Sequence, residues 1–109
     1  MKAWIALVIP VAIAQSAHAG FIDGNELYRM CEKSNPVACY GYIMGIAEVM
    51  EKTTNVMAES GMMICLPTNT QIRQLRDVVL TNLRENPANR SSPAHYIVMK
   101  ALQRTWPCT

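Results

Sequence analysis

Four cysteines constrain the fold of this 109-residue chain more than any other feature of its sequence. They are Cys31, Cys39, Cys65 and Cys108. An even number of cysteines in a short chain favours disulfides where the compartment is oxidising. Zinc sites usually contain Cys-x-x-Cys pairs, and the sequence has none. We therefore expect two disulfides, with zinc ligation and free core thiols as the alternatives.

The amino-terminal segment has the layout of a secretory signal peptide, which would bring the cysteines into an oxidising compartment. Lys2 supplies a positive charge, residues 3–14 are apolar, and Ala17-His18-Ala19 is the small-residue pattern that signal peptidases accept. A membrane span needs roughly 20 apolar residues, more than this stretch offers. We expect residues 1–19 to be cleaved after Ala19, which leaves residues 20–109 as a single exported domain. An uncleaved anchor is the alternative.

The charge of the remaining chain argues against nucleic acid as a partner. Loss of Lys2 lowers the formal net charge from +2 to +1, and the charges are dispersed, whereas nucleic-acid-binding domains usually show a strongly basic face. No second apolar run of spanning length follows, so we expect no membrane contact after cleavage. A domain of about 90 residues buries only about 60–65 % of the surface of its unfolded chain. Disulfides would therefore add stability that a domain of this size needs.

Apolar residues recur at helical spacing in four segments, which predicts an all-α, compact bundle of about four helices stapled by two disulfides. The expected helices cover residues 24–33, residues 37–60, a segment that starts after Pro67 and ends near residue 85, and residues 92–105. The expected end signals are Asp23 or Asn25 as the first cap, Gly61 after the second helix, Thr68 with Gln71 (or Thr70) as the third cap, and Pro93 in the first turn of the fourth helix.

The helix order predicts the disulfide pairing, although four cysteines allow three connectivities. The third and fourth helices are joined by a short connection and should be antiparallel neighbours. Cys65 precedes the third helix and Cys108 follows the fourth, so both lie at one end of this pair. Cys31 and Cys39 flank the turn between the first two helices. The predicted bonds are Cys31–Cys39 and Cys65–Cys108.

The sequence offers no catalytic constellation after residue 19, so we expect no enzyme, no cofactor and no metal. His95 is the only histidine in that part. The acidic residues are scattered, and we expect Glu48 and Glu51 on the solvent-exposed face of the second helix. The eight methionines could form a Cu(I) site or a pliable surface. Met44, Met50 and Met57 lie, with Thr54, on the apolar stripe of the second helix, which favours core filling.

An ordered set of motifs resembles a known family. The set comprises Leu27…Cys31, Tyr40-Gly41-Tyr42-Ile43-Met44-Gly45, Cys65-Leu66-Pro67, Leu83…Asn86-Pro87, Pro93-Ala94, Ala101-Leu102 and Trp106-Pro107-Cys108. In this order it resembles the Rap/Tai family of type VI secretion immunity proteins. The resemblance implies a periplasmic helical protein, often a homodimer, that blocks peptidoglycan amidases delivered by neighbouring or sister cells. These target enzymes use a Cys–His mechanism to cut the peptide stems of the cell wall.

The residues that would contact such an amidase must be inferred from exposure and hydrogen-bonding capacity. The connection before the fourth helix offers both, with prolines near its ends that limit the entropy lost on binding. Its candidate residues are Glu85, Asn86, Asn89, Arg90 and Ser91. The outer face of the third helix, with Arg73, Gln74, Arg76 and Asp77, is a second candidate. An ordinary polar turn and a solvated helix face are the respective alternatives.

A second function is compatible with the same features. Small helical periplasmic chaperones of the acid-response type are also disulfide-bonded. Such a protein would expose a large apolar patch when acidified.

Overall fold

The computed structural model describes residues 21–109, and over this range the chain forms four α-helices joined by turns. The helices are α1 (Gly24–Glu32), α2 (Val37–Met50), α3 (Ile72–Glu85) and α4 (Ala94–Thr105), with short 3₁₀ helices at Lys52–Thr54 and Pro87–Ser91. Strand pairing within this range is limited to three isolated bridges. The predicted all-α fold is therefore confirmed. The expected signal peptide lies outside the described residues.

The core lies between the four helices, and α3 packs against the other three. Each helix contributes fully buried apolar side chains, for example Leu27, Ile43, Val79 and Leu102. Burying one such side chain is worth about 1.5–3 kcal/mol. A fifth contribution comes from Ile64, which lies outside the helices and is also fully buried. In residues 21–109 we find no helix with the length and apolar character needed to cross a bilayer.

A side-chain cap fixes the start of α1, and backbone hydrogen bonds join the starts of α1 and α4. Asp23 Oδ1 accepts a hydrogen bond from the Glu26 N–H at 2.9 Å, as predicted for the cap of α1. Pro93 precedes the first turn of α4 instead of standing in it, one position away from the expectation. The Ala94 N–H donates to the Ile22 carbonyl at 3.0 Å, so the two helix starts are joined through the backbone.

The start of α3 differs from the predicted caps. Thr70 does not cap the helix, because its N–H and its hydroxyl both donate to the Pro67 carbonyl and close a turn there. The cap is Gln71, whose N–H donates to Gln74 Oε1 at 2.6 Å. This is one half of the capping-box arrangement, shifted by three residues from the predicted Thr68.

The predicted extent of α2 is wrong, because the helix ends at Met50 and not near residue 60. Beyond Met50 the backbone pairs with Ile64, whose N–H donates to the Met50 carbonyl at 2.9 Å. The Ile64 carbonyl in turn accepts the Lys52 N–H at 3.0 Å. These bonds bury Ile64 in place of a further helical turn. The sequence after Lys52 is Thr-Thr-Asn, which contains only weak helix formers.

The early end of α2 changes the environment of several residues that were expected on its apolar stripe. Thr54 is exposed and Met57 is only half-buried. Within α2 itself Met50 is fully buried, but Met44 is exposed. Gly61 does not end the helix; it adopts a φ of 74° in a later turn, which suits glycine.

Both predicted disulfides are confirmed. The Cα atoms of Cys31 and Cys39 are 5.0 Å apart, and those of Cys65 and Cys108 are 5.1 Å apart. The second bond joins segments that already lie side by side, since the Cys65 N–H donates to the Trp106 carbonyl at 3.0 Å. The disulfides therefore lie at the two places predicted from the helix order: the turn between α1 and α2, and the shared end of the α3–α4 pair.

Candidate partner-binding surface

The segment that joins α3 to α4, residues 86–93, is a short and internally ordered turn that we call the α3–α4 connection. Its centre is the 3₁₀ helix Pro87–Ser91. The Asn89 N–H donates to the Asn86 carbonyl and the Ser92 N–H donates to the Asn89 carbonyl, both at 3.0 Å. A single backbone path is therefore fixed by hydrogen bonds within the segment.

The α3–α4 connection is also held against α1. The Gly24 N–H donates to the Ser92 carbonyl at 3.0 Å. A Cβ atom on Gly24 would lie 2.7 Å from the Arg90 carbonyl oxygen and 2.5 Å from Ile97 Cδ1. Glycine at position 24 therefore permits a close approach that any larger residue would prevent.

Arg90 anchors the same segment to α3. Its Nε donates to the Leu83 carbonyl at 2.6 Å, and Nη2 lies 3.4 Å from the Arg84 carbonyl oxygen. These are carbonyls of the last helical turn, which lack partners within the helix and attract a positive charge. The guanidinium also lies over the Tyr28 ring, 4.0 Å from its centroid. Arg90, predicted as a partner-binding residue, therefore has contacts within the fold that occupy its side chain.

The other predicted residues of this region face solvent. Glu85, Asn86, Asn89 and Ser91 are all exposed. Asn86 is partly used, because its Nδ2 donates to the Asn82 carbonyl at 2.9 Å. The connection thus presents polar side chains on a backbone that is held by hydrogen bonds within the segment, by α1 and by α3.

Glu85, Asn86 and Asn89 border two adjacent depressions between α3 and α4, one of about 420 Å³ and one, next to the connection, of about 300 Å³. Because they share lining residues, we treat them as the two halves of one α3–α4 groove. Asn82 and Arg104 line both halves. The first half is lined by Asp77, Val78, Thr81, Asn82, Glu85, Ala101, Arg104 and Thr105, and the second by Asn82, Asn86, Asn89, Ser92, Tyr96, Ile97, Lys100 and Arg104.

The contribution of α4 to this groove was missed in the sequence. Tyr96, Lys100 and Arg104 recur every four residues and form the polar wall opposite α3. Their spacing places them on one face of a helix, which is the signal that could have identified them. Tyr96 is 53 % exposed, and its ring offers an apolar face and a hydroxyl to a partner.

The second predicted set lies elsewhere. Arg73 is near the start of α3 and Asn86 follows its end, so about 20 Å of helix separates them. Arg76 pairs with Asp77 at 2.9 Å and lies over the Tyr40 ring, 5.5 Å from its centroid. Arg73 is exposed and donates to Gln71 Oε1 at 3.1 Å. The two predicted sets are therefore not one patch, and only Asp77 of the second set reaches the groove.

Comparison with known protein families identifies the chain. The model of one family, described as Rap1a immunity proteins, matches residues 23–108. The chain belongs to this family. No curated protein and no solved structure matches it. The match covers α1 to α4 and both disulfides, and the resemblance found in the ordered motifs is confirmed at the level of the family.

An immunity protein acts by binding a cognate effector, and the chemistry of this family member is compatible with that role. All four cysteines are in disulfides, so no thiolate is available as a nucleophile. His95 lies half-buried in the first turn of α4. Residues 21–109 contain no group of three or more histidine, cysteine or acidic side chains that could hold a metal ion. Burial raises the pKa of the Tyr42 hydroxyl, which keeps it protonated.

Proposed function

We propose that this protein is exported to the periplasm, where it binds and inhibits a peptidoglycan amidase delivered by a type VI secretion system, without catalysing a reaction itself. Membership in an immunity protein family supports the role of inhibitor. Two disulfides fit an oxidising compartment, and residues 1–19 have the pattern of a signal peptide. The amidase as target follows from the resemblance of the ordered motifs to the Rap/Tai family.

The α3–α4 connection and the adjoining groove are the proposed contact surface. The observation that carries this assignment is the fixed backbone of the connection beneath exposed polar side chains. A segment that is already ordered loses less conformational entropy on binding than a flexible one. Glu85, Asn86, Asn89 and Ser91 would contact the amidase, while Arg90 would position them. Arg73 and Arg76, at the other end of α3, would contribute only at the edge of the interface.

A search of the neighbouring genes for a small Cys–His amidase, followed by binding to that enzyme, tests the proposal. Purified protein should form a stable complex by titration calorimetry and abolish cleavage of cell-wall peptides. Asn89→Arg should weaken the affinity about tenfold or more, because it adds bulk and charge at the exposed turn. Thr53→Arg makes the same change at an exposed position outside the surface and should leave the affinity unchanged. A wild-type protein that neither binds nor inhibits the amidase would contradict the proposal.

Export is tested separately by the mass of the protein recovered from the periplasm. Cleavage after Ala19 predicts an amino terminus at Gly20. Retention of residues 1–19 would favour the anchored alternative, and recovery in the cytoplasm would exclude the proposed place of action.

A homodimer through the outer face of α2 is part of the proposal. Val37, Gly41, Gly45 and Val49 are all exposed and follow each other at four-residue steps, so the order Val-Gly-Gly-Val reads the same in both directions. Such a stripe can meet a second copy of itself across a twofold axis, with Val37 against Val49 of the second copy. Light scattering should show a dimer that Gly41→Glu converts to a monomer, and a monomeric wild-type protein would contradict it.

A further inference from the structure

Arg104 occupies the junction of the two halves of the α3–α4 groove. It lies in the last turn of α4, is exposed, and is one of two residues that line both halves. A ligand group that spans the groove would therefore pass this side chain.

Arg104 differs from the other arginines of the described chain in having neither a hydrogen bond nor an ion pair there. Residues 21–109 contain six arginines. Four of the other five donate a hydrogen bond, and the fifth, Arg84, forms an ion pair with Glu32 at 3.8 Å. The hydrogen-bond acceptors belong to Glu26 for Arg29, Gln71 for Arg73, Asp77 for Arg76, and Leu83 for Arg90. Over residues 21–109, Arg104 makes neither an ion pair nor a side-chain hydrogen bond. Its five donors are free for a ligand.

The half of the groove next to the α3–α4 connection carries positive charge without a balancing carboxylate. Its charged lining residues are Lys100 and Arg104, and no acidic residue lines it. Lys100 makes no ion pair within the described range, and its Nζ lies 5.9 Å from the centre of the Tyr96 ring. The remaining polar lining consists of the amides of Asn82, Asn86 and Asn89, the Ser92 hydroxyl and the Tyr96 hydroxyl. Amides can donate to and accept from a peptide backbone.

The other half of the groove has the opposite character. Asp77 and Glu85 line it on the α3 side. Asp77 is neutralised by Arg76 at 2.9 Å, whereas Glu85 has no ion pair among residues 21–109. The groove therefore has an acidic half and a basic half, with Arg104 between them. A partner segment that fits must place its negative group toward the connection.

We propose that Arg104, assisted by Lys100, is a specificity determinant that receives an aspartate or glutamate side chain of the amidase. The inference rests on the proposed function and adds the chemistry of the contact. A guanidinium binds a carboxylate through two parallel N–H···O bonds, which gives direction as well as attraction. The asparagine amides beside it bind the backbone that carries this carboxylate.

Charge replacement at Arg104 tests the inference against a matched control. Arg104→Gln should weaken affinity for the amidase about 30-fold or more, since it removes one partner of a buried charge pair, and Arg104→Glu should weaken it further. Arg29→Glu makes the same charge change on an exposed arginine of α1 that lines neither half of the groove and should alter affinity less than about threefold. Arg104→Gln avoids the negative charge that Arg104→Glu brings to the end of α4, and unfolding midpoints would show that both variants are folded.

A charge swap identifies the group that Arg104 contacts. Replacing the contacting aspartate or glutamate of the amidase by arginine should raise the affinity of the Arg104→Glu variant at least tenfold. If Arg104→Glu binds the amidase as well as Arg29→Glu does, the inference is overturned while the proposed function stands. If the wild-type protein does not bind the amidase, both are overturned. Loss of affinity for a free cell-wall stem peptide, with amidase affinity unchanged, would also overturn it.

Discussion

The two connections that flank α3 are held in different ways. The α3–α4 connection, residues 86–93, is fastened along its length: by Gly24 at the backbone, by Arg90 to the end of α3, and by Tyr28 beneath the guanidinium. The α2–α3 connection, residues 51–71, is fastened mainly near its ends. In its middle, the side-chain hydrogen bonds are local, such as Ser60 Oγ to the Met57 carbonyl at 2.8 Å, and Val56 is 65 % exposed.

The difference shows that exposure alone does not define a recognition surface. Both connections expose polar side chains, but residues 86–93 are bonded to α1 and α3, whereas the hydrogen bonds of residues 55–61 are local. The backbone of residues 86–93 is already ordered by folding, so a partner that binds there causes little further loss of conformational entropy. Binding to residues 55–61 would have to order that segment and would therefore lose more conformational entropy. The proposed contact surface is therefore the shorter and better anchored of the two.

The largest expected effect comes from cutting the carboxyl-terminal anchor of the α2–α3 connection. Its disulfide closes a separation of 43 residues, for which the chain-entropy estimate is about 4 kcal/mol. Cys65→Ser with Cys108→Ser should lower the free energy of unfolding by about that amount in urea titrations. The matched pair Cys31→Ser with Cys39→Ser opens a separation of 8 residues and should cost about 2.5 kcal/mol. Equal losses would contradict the loop-length account.

The next effect concerns the close approach at Gly24. Gly24→Ala should lower the free energy of unfolding by about 1–3 kcal/mol, because the new Cβ meets the Arg90 backbone and Ile97. Gly45→Ala is the control, with both variants made in the monomeric Gly41→Glu background so that the proposed dimer contact does not contribute. Nothing lies within 4 Å of a Cβ at position 45, so alanine should stabilise α2 by about 0.5–1 kcal/mol. Hydrogen exchange at the Ser92 amide should accelerate in the first variant only. A loss in Gly45→Ala as large as in Gly24→Ala would contradict the packing argument.

The same contrast explains how much of the molecule could be predicted from its sequence. α1, α3, α4 and both disulfides follow from local periodicity and helix order, whereas among the caps only Asp23 of α1 was predicted at its observed position. The end of α2 could not be predicted this way, because it depends on backbone bonds from Met50 and Lys52 to Ile64, while apolar spacing continues past Met50 to Met57.

The candidate surface stays a prediction, but the structure places its residues. Exposure in the sequence selects Glu85, Asn86 and Asn89, which line the groove. The sequence does not reveal that Arg90 lies over Tyr28, because that ring is distant along the chain. The α4 wall with Lys100 and Arg104 was missed because pairing between α3 and α4 decides which polar face meets which.

A smaller effect is expected from loosening the anchor of the α3–α4 connection. Arg90→Gln removes the bond to the Leu83 carbonyl and the contact with Tyr28, and should lower the free energy of unfolding by about 1–2 kcal/mol. Arg84→Gln is the control, since its ion pair with Glu32 is exposed and 3.8 Å long and should be worth less than about 0.5 kcal/mol. Amidase affinity should fall in Arg90→Gln but not in Arg84→Gln. Unchanged affinity in Arg90→Gln would show that Arg90 does not position the surface.

The smallest effect should follow from lengthening the α2–α3 connection. Inserting Gly-Ser-Gly-Ser between Ala58 and Glu59, both exposed, adds little closure entropy, about 0.2 kcal/mol, and should leave amidase affinity unchanged. The same insertion between Ala88 and Asn89 interrupts the 3₁₀ helix and its hydrogen bond to the Asn86 carbonyl. It should cost about 1 kcal/mol or more and abolish binding. If binding survived the second insertion, a fixed backbone at residues 86–93 would not be what the amidase recognises, and the difference between the two connections would concern stability alone.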